Sequence, residues 1–204
     1  MKIGIYGGTF DPPHIGHVHA CKCFLEQIEM DKLFIIPTSI PPHKNRDSKV
    51  SGSDRMEMAK LAFSELSSKI VFSDVELNRT GKSYTSDTIK HFLSSEIEEV
   101  FLLCGTDMFV TLDEWHEFVY IFQNATIVCV RRENDSNFDD LILDKAKIYR
   151  EKYGAKIHFI KAEAIDVSSS MIRREIDDTS VATKNLPTAV YEFIKSRGLY
   201  NEQY

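Results

Sequence analysis

Short apolar runs and helical segments take turns along this chain. KIGIY (2–6), LFIIPT (33–38), IVFSDVEL (70–77), EEVFLLCG (98–105), ATIVCV (125–130) and KIHFIK (156–161) read as strands. Helical periodicity fills stretches between them, at 14–29, 53–66, 83–95 and 137–153. The runs at 98–105 and 125–130 are apolar at nearly every position, as in strands buried on both faces of a parallel sheet. Strand–helix alternation with parallel strands leaves few architectures, because each crossover must be right-handed and must pack a helix on the sheet. The expected class is α/β, a doubly wound parallel sheet. Two final helices, SSSMIRREI and TAVYEFIKSRG, with Gly198 as a C-cap, form a small helical part (168–204) of a single domain spanning 1–204.

Bulk properties narrow the function. With 43% hydrophobic residues in 204, the chain is long enough for a well-buried core. A formal net charge of −6 argues against a general nucleic-acid surface. No run approaches the roughly 20 apolar residues of a membrane helix, and MKIGIYGG enters a strand with no signal-peptide layout. Cys21, Cys23, Cys104 and Cys129 lack zinc-ribbon spacing and read as buried, reduced thiols. The expectations are a cytoplasmic protein with no nucleic-acid and no membrane partner; monomer and homodimer are both open.

GGTFDPPHIGHVHA (7–20) concentrates two glycines, two prolines and three histidines directly after the first strand. Gly7 and Gly8 let the backbone approach a bulky ligand, and Pro12 and Pro13 fix the chain ahead of a helix. Strand, glycine turn, helix is the arrangement at which phosphates collect in open α/β sheets, drawn by the free N–H groups and dipole of the helix start. His14 and His17, three apart, share a helical face, with Gly16 leaving room beside them. Two imidazoles there suit an α-phosphate, whose oxygens they bond and whose transition-state charge they stabilise. A zinc site is the rival, since Cys21 lies one turn beyond His17 on that face.

Three further clusters have a functional and a plain alternative each. Pro41-Pro42-His43-Lys44-Asn45-Arg46 lies in the longest irregular stretch, 38–53, and is either a phosphate clamp or a solvated basic loop. In SYTSDT (83–88), Thr85 and Asp87 read as helix caps, and Trp115, the only tryptophan, as a core anchor. Ser168, Ser169 and Ser170 are ordinary caps unless Arg173, a turn into the helix, completes a phosphate cradle.

GGTFDPPHIGH resembles the signature of the HxGH nucleotidyltransferase superfamily, in the form found in bacterial nicotinate-nucleotide adenylyltransferases. SYTSDT, GTDMFVTLDEWHEF and VSSSMIR are similar to that family's SYT-x-DT, G-x-D-(x)n-W and ISSTxIR segments, in the expected order between residues 3 and 173. The resemblance implies a Rossmann-like nucleotidyltransferase fold and an enzyme that joins ATP to nicotinate mononucleotide, giving deamido-NAD and pyrophosphate. On that basis Gly7, Gly8, Thr9, Phe10, Gly105, Asp107, Ser168 and Ser169 belong to the ATP site, with His14 and His17 at the α-phosphate. Lys44 and Arg173 serve the β- and γ-phosphates. Lys44, Arg46, Thr85, Asp107, Trp115, His116 and Arg132 belong to the nicotinate mononucleotide site, where the pyridine stacks on the tryptophan. The cofactor implied is Mg2+ held mainly by ATP phosphates, with no protein metal site. Two departures stand out: Ser170 replaces the usual threonine, keeping its hydroxyl, and Arg131-Arg132-Glu133-Asn134 stands where Arg-Pro-Gly is common. A sister transferase using nicotinamide mononucleotide or phosphopantetheine would share the first and last motifs but give no reason for the Thr85/Trp115 pair. Phosphopantetheine adenylyltransferases usually carry threonine at the position of His14. A non-catalytic nucleotide-sensing domain would bind ATP without releasing pyrophosphate.

Overall fold

The computed structural model describes residues 1–40, 50–132, 136–163 and 165–201, of which 131, 132 and 136–139 through their backbone alone. In chain order the elements are β1 (Lys2–Gly8), α1 (Ile15–Gln27), β2 (Lys32–Pro37), α2 (Gly52–Phe63), β3 (Ile70–Phe72), α3 (Thr85–Phe92) and β4 (Glu99–Gly105). A short α4 (Thr106–Phe109), a 3-10 turn (Leu112–Glu114), α5 (Phe118–Asn124), β5 (Thr126–Arg132), α6 (Ser136–Tyr153) and β6 (Ile157–Ala162) follow. The chain ends in α7 (Ser169–Arg174), α8 (Thr179–Asn185) and α9 (Thr188–Arg197). The strands form one six-stranded sheet in the order β3-β2-β1-β4-β5-β6. Pairs β1–β4, β4–β5 and β5–β6 run parallel. The order grows outward from β1 in both directions, which is the doubly wound α/β arrangement that the alternation predicts.

Local chemistry moves some boundaries. The extended run expected at 70–77 stops at Phe72: Ser73 N–H still donates to the Ile35 carbonyl of β2, and beyond it the chain turns, Asn78 donating to the Asp74 carbonyl and Arg79 to that of Glu76. α2 starts earlier than the SDRM pattern suggests, since the Ser51 hydroxyl accepts from the Asp54 N–H at 3.0 Å and is the cap. Thr85 and Asp87 are not caps. Tyr84 holds the N-cap position of α3 without a side-chain bond, and Thr85 opens the helix itself. The expected caps at Ser168 and Gly198 are present, the first accepting from Met171 N–H and the second left-handed at φ 60°. α8 is an addition, started by Asp178, whose carboxylate accepts from the N–H groups of Ser180 and Val181.

The chain divides into two compact units. The first comprises Met1–Tyr6, Cys23–Phe34 and Tyr84–Ala164. Its core includes Ile5, Phe24, Leu33, Leu102, Phe109 and Ile127. Cys104 and Cys129 are register partners on β4 and β5, and all four cysteines are buried thiols. β6 stands last in the sheet order, and the Gln27 side chain caps it: its amide donates to the Lys161 carbonyl at 2.8 Å and accepts from the Lys161 N–H at 3.1 Å.

The second unit comprises Gly7–Lys22, Ile35–Ser83 and Ile165–Tyr204. Its core joins α2 to the C-terminal helices, with Met58, Val167, Ile172, Ala182, Val190, Ile194 and Tyr200 in one buried cluster. No helix among the described residues is long and apolar enough to cross a membrane.

Candidate active site

The glycine turn and both motif histidines lie in the second unit. Phe10 adopts a left-handed backbone (φ 47°) and is wholly buried, edge-on to His17 and to Phe63 with 5.4 Å between centroids in each case. A Cβ at Gly8 would lie 3.0 Å from the Phe10 ring, whereas one at Gly7 would meet nothing nearer than the Ile36 carbonyl at 4.0 Å. Packing therefore explains Gly8 but not Gly7, whose bare backbone leaves room for a ligand. At Gly16 a Cβ would lie 3.1 Å from both His14 Nδ1 and Val167, so a side chain there would displace His14.

The rings of His14 and His17 lie 3.7 Å apart with a 33° tilt. The His14 backbone N–H donates to His17 Nδ1 at 3.2 Å. An acceptor Nδ1 leaves the proton of a neutral imidazole on Nε2, so this contact assigns the tautomer. Burial, and then the nearby His14, hold the His17 pKa well below its ordinary 6.5. His17 is thus a neutral Nε2–H donor at neutral pH.

This depression has a measurable consequence. The unfolded chain takes up a proton at His17 below about pH 6.5 and the folded chain does not, so stability is retained above that pH and lost as pH falls. The loss amounts to at most about 1.4 kcal/mol per pH unit until the folded pKa is reached. Urea unfolding of the wild type and His17→Gln between pH 7.5 and 5.5 is expected to show a steeper decline in the wild type. Equal slopes would count against a depressed His17.

Cys21 is buried, with its thiol pushed up to about 12. Among the described residues no three His, Cys, Asp or Glu side chains are grouped to hold a metal ion, so the zinc alternative finds no donor set there.

The rest of the second unit braces this turn. Arg55 is wholly buried, and its Nη1 donates at 2.7 Å to the carbonyls of both Thr9 and Thr38, tying the segments that follow β1 and β2. The Ser169 hydroxyl donates to the Pro12 carbonyl at 2.9 Å. Arg173 donates through Nη1 to the Asp11 carbonyl at 2.8 Å and through Nη2 to the Ser170 hydroxyl at 3.3 Å. The structure thus brings Ser169 and Arg173 to the histidine motif. The sequence singled out neither Arg55 nor Asp11. Arg55 carried a signal, since it occupies the same buried stripe of α2 as Met58, Ala59 and Phe63.

The first unit assembles the other motifs. Tyr84 and His116 stack with 4.3 Å between ring centroids, bringing the start of α3 to the Trp115-His116 segment. The N–H groups of Thr85, Ser86 and His116 have no partner among the described residues, so three backbone donors gather in this region. Glu117, left-handed at φ 51°, pairs with Lys90 of α3 and holds the two segments together. Trp115 is half-buried and not a core anchor.

A half-buried knot fixes the preceding turn. Lys145 donates to both Asp113 oxygens at 2.8 Å, and the Tyr149 hydroxyl to Asp113 Oδ1 at 2.9 Å. Burial pushes the Asp113 carboxyl up, but these bonds outweigh it and hold the group below the usual range. Gly105 and Asp107 are exposed where β4 gives way to α4. Arg132 ends β5, in register with Ala162. Lys44, Arg46 and the rest of the Pro-Pro-His-Lys cluster lie outside the described residues, as do Glu133 and Asn134.

The Cytidylyltransferase-like family model matches residues 5–175. A probable nicotinate-nucleotide adenylyltransferase of Clostridium tetani is 34% identical over 200 residues, covering 98% of both chains. Another of Clostridium botulinum is 35% identical over 197 residues, covering 96% of this chain and 97% of its own. The chain belongs to the nicotinate-nucleotide adenylyltransferase family. A nicotinic acid mononucleotide adenylyltransferase of Plasmodium falciparum, solved with NaAD, matches over 98% of this chain and 97% of its own with a TM-score of 0.76 at 20% identity, and shares its fold.

Proposed function

We propose that this adenylyltransferase joins ATP to nicotinate mononucleotide, giving deamido-NAD and pyrophosphate in NAD biosynthesis. The observation that carries this reading is the stacked His14–His17 pair, one ring of it set as a neutral Nε2–H donor beside a bare glycine turn. A phosphate oxygen of the mononucleotide attacks the α-phosphorus of ATP. A new P–O bond forms, the bond to the bridging oxygen of the β-phosphate breaks, and pyrophosphate leaves with that electron pair. The attacking phosphate is already an anion, so neither a covalent enzyme intermediate nor a strong base is needed; catalysis rests on alignment and charge stabilisation.

His17 Nε2–H and His14 bond the α-phosphate oxygens, more strongly as charge grows on them in the transition state. Gly7, Gly8 and Thr9 admit the nucleotide along their backbone, and Phe10 supports His17 from beneath. By the family resemblance Arg173 and Lys44 serve the β- and γ-phosphates. By the same resemblance Thr85 and His116 bind the pyridine carboxylate through their N–H groups, Trp115 stacks on the ring, Asp107 holds ribose hydroxyls, and Arg132 and Arg46 serve phosphate. The described residues offer imidazoles and cations rather than a carboxylate cage, which fits a Mg2+ ion held mainly by phosphate and water. When bound, that ion neutralises charge on the leaving pyrophosphate.

Arg173 has two tasks in this scheme, since it already bonds the Asp11 carbonyl. Arg173→Ala is expected to raise the KM for ATP about tenfold or more, the scale of a lost charge-assisted bond. Arg173→Lys restores only part, because an ammonium lacks the planar fork. An unchanged KM for ATP in the alanine variant would return this arginine to a structural role. The proposed function itself is tested by pyrophosphate release from ATP on addition of nicotinate mononucleotide, and no release would refute it.

A further inference from the structure

We propose that Tyr200, at the far end of the chain, is a positioning residue for the phosphate-binding turn. The inference rests on the reading of His14 and His17 as phosphate ligands. The Tyr200 hydroxyl donates to the Asp11 carboxylate at 2.6 Å across 189 residues of sequence. Both groups are buried, Asp11 at 3% and Tyr200 at 7% exposure, so the bond is shielded from competing water.

The backbone is bent to make this contact. α9 closes at Gly198 (φ 60°), where Leu199 N–H donates to the Ile194 carbonyl, and Tyr200 itself is left-handed at φ 65°. A large non-glycine residue keeps that conformation only where its surroundings over-determine it. Here the ring sits in the cluster with Val190 and Ile194 while its hydroxyl meets Asp11.

The turn needs outside handles for a simple reason. Pro12 and Pro13 have no N–H to donate, so the segment leading to His14 is held through its acceptors. Three of them are held by the C-terminal part of the chain: the Asp11 carbonyl by Arg173, the Pro12 carbonyl by Ser169, and the Asp11 carboxylate by Tyr200. Tyr200 sets the side chain that begins the turn, and His14 stands three residues further on. A turn released at this point lets the imidazoles drift from the oxygens that they serve, and catalysis by positioned donors is steep in distance.

Tyr200→Phe keeps the ring and removes only the donor. Its kcat is expected to fall about tenfold, with the KM for the mononucleotide unchanged. Asp11→Asn, whose amide oxygen still accepts the phenol hydrogen, is expected to stay within about threefold of the wild type. In an Asp11→Ala background the Tyr200→Phe effect should vanish, because the partner is already gone. Urea unfolding of each variant separates loss of fold from loss of rate. A Tyr200→Phe enzyme within twofold of wild-type kcat would overturn the proposal, whatever its stability. So would losses that add independently in the double variant, or an Asp11→Asn enzyme as impaired as Tyr200→Phe. Turnover by a folded His17→Ala variant tests the underlying phosphate reading separately.

Discussion

Replacing His17 with alanine is expected to lower kcat by about a hundredfold or more while leaving the fold intact, the scale of removing one donor aimed at transition-state charge. The expectation is specific because the ring is held from three sides. His14 N–H fixes the tautomer through Nδ1, Phe10 packs edge-on, and the His14 ring lies against it at 3.7 Å between centroids, tilted by 33°. A donor so constrained loses nothing to reorientation when charge builds up on the α-phosphate. His17→Asn retains a side-chain N–H, though not at the position of Nε2, and should recover only part of the loss. The KM values should move less than kcat, since a bond that strengthens in the transition state contributes little to ground-state binding. Steady-state kinetics beside circular dichroism check both halves of the expectation. Near-full turnover in a folded His17→Ala variant would make this histidine structural and defeat the mechanism.

The second large effect is substrate choice. Nicotinate and nicotinamide mononucleotides differ only in carboxylate against amide. The N–H groups of Thr85, Ser86 and His116 are donors, and two of them open α3, where the helix dipole adds to the preference for an anion. A carboxylate accepts from them with both oxygens in charge-assisted bonds. An amide must turn its NH2 toward another donor and leaves polar groups unpaired, at roughly 1–3 kcal/mol. The acid is therefore expected to be preferred by about tenfold to a hundredfold in kcat/KM. Trp115→Ala should weaken both substrates and leave their ratio nearly unchanged, because stacking on a ring does not sense its substituent. Equal use of acid and amide by the intact enzyme would defeat this pocket, although adenylyl transfer would survive.

What was legible in the sequence followed local chemistry. Strand–helix alternation announces the sheet because side-chain period and buried apolar runs are local properties, and Ser168 and Gly198 fulfil their expected cap roles for the same reason. The strand at 70–77 misleads because Val75 and Leu77 keep an alternating pattern while their backbone turns. Thr85 looks like a cap by residue type, yet one residue of register makes it the first helical residue and leaves its N–H without a helical partner. Arg55 and the Tyr200–Asp11 bond stayed hidden for a different reason. A guanidinium serving two carbonyls, or a phenol meeting a carboxylate from the other end of the chain, leaves no periodicity to read. Such contacts are set by the fold and become visible only in it.

Gln27 carries a consequence for how copies of this protein behave toward one another. An outermost strand offers a ladder of donors and acceptors on which a foreign strand can grow. The Gln27 amide occupies both groups of Lys161 with the geometry of one peptide unit, a single counterfeit rung that a growing strand would first have to displace. β6 is only six residues long and exposes His158 and Lys161 along its length, so the remaining stretch is short and well hydrated. One side chain from the end of α1 thereby occupies, at a single rung, the place that a further strand beside β6 would take.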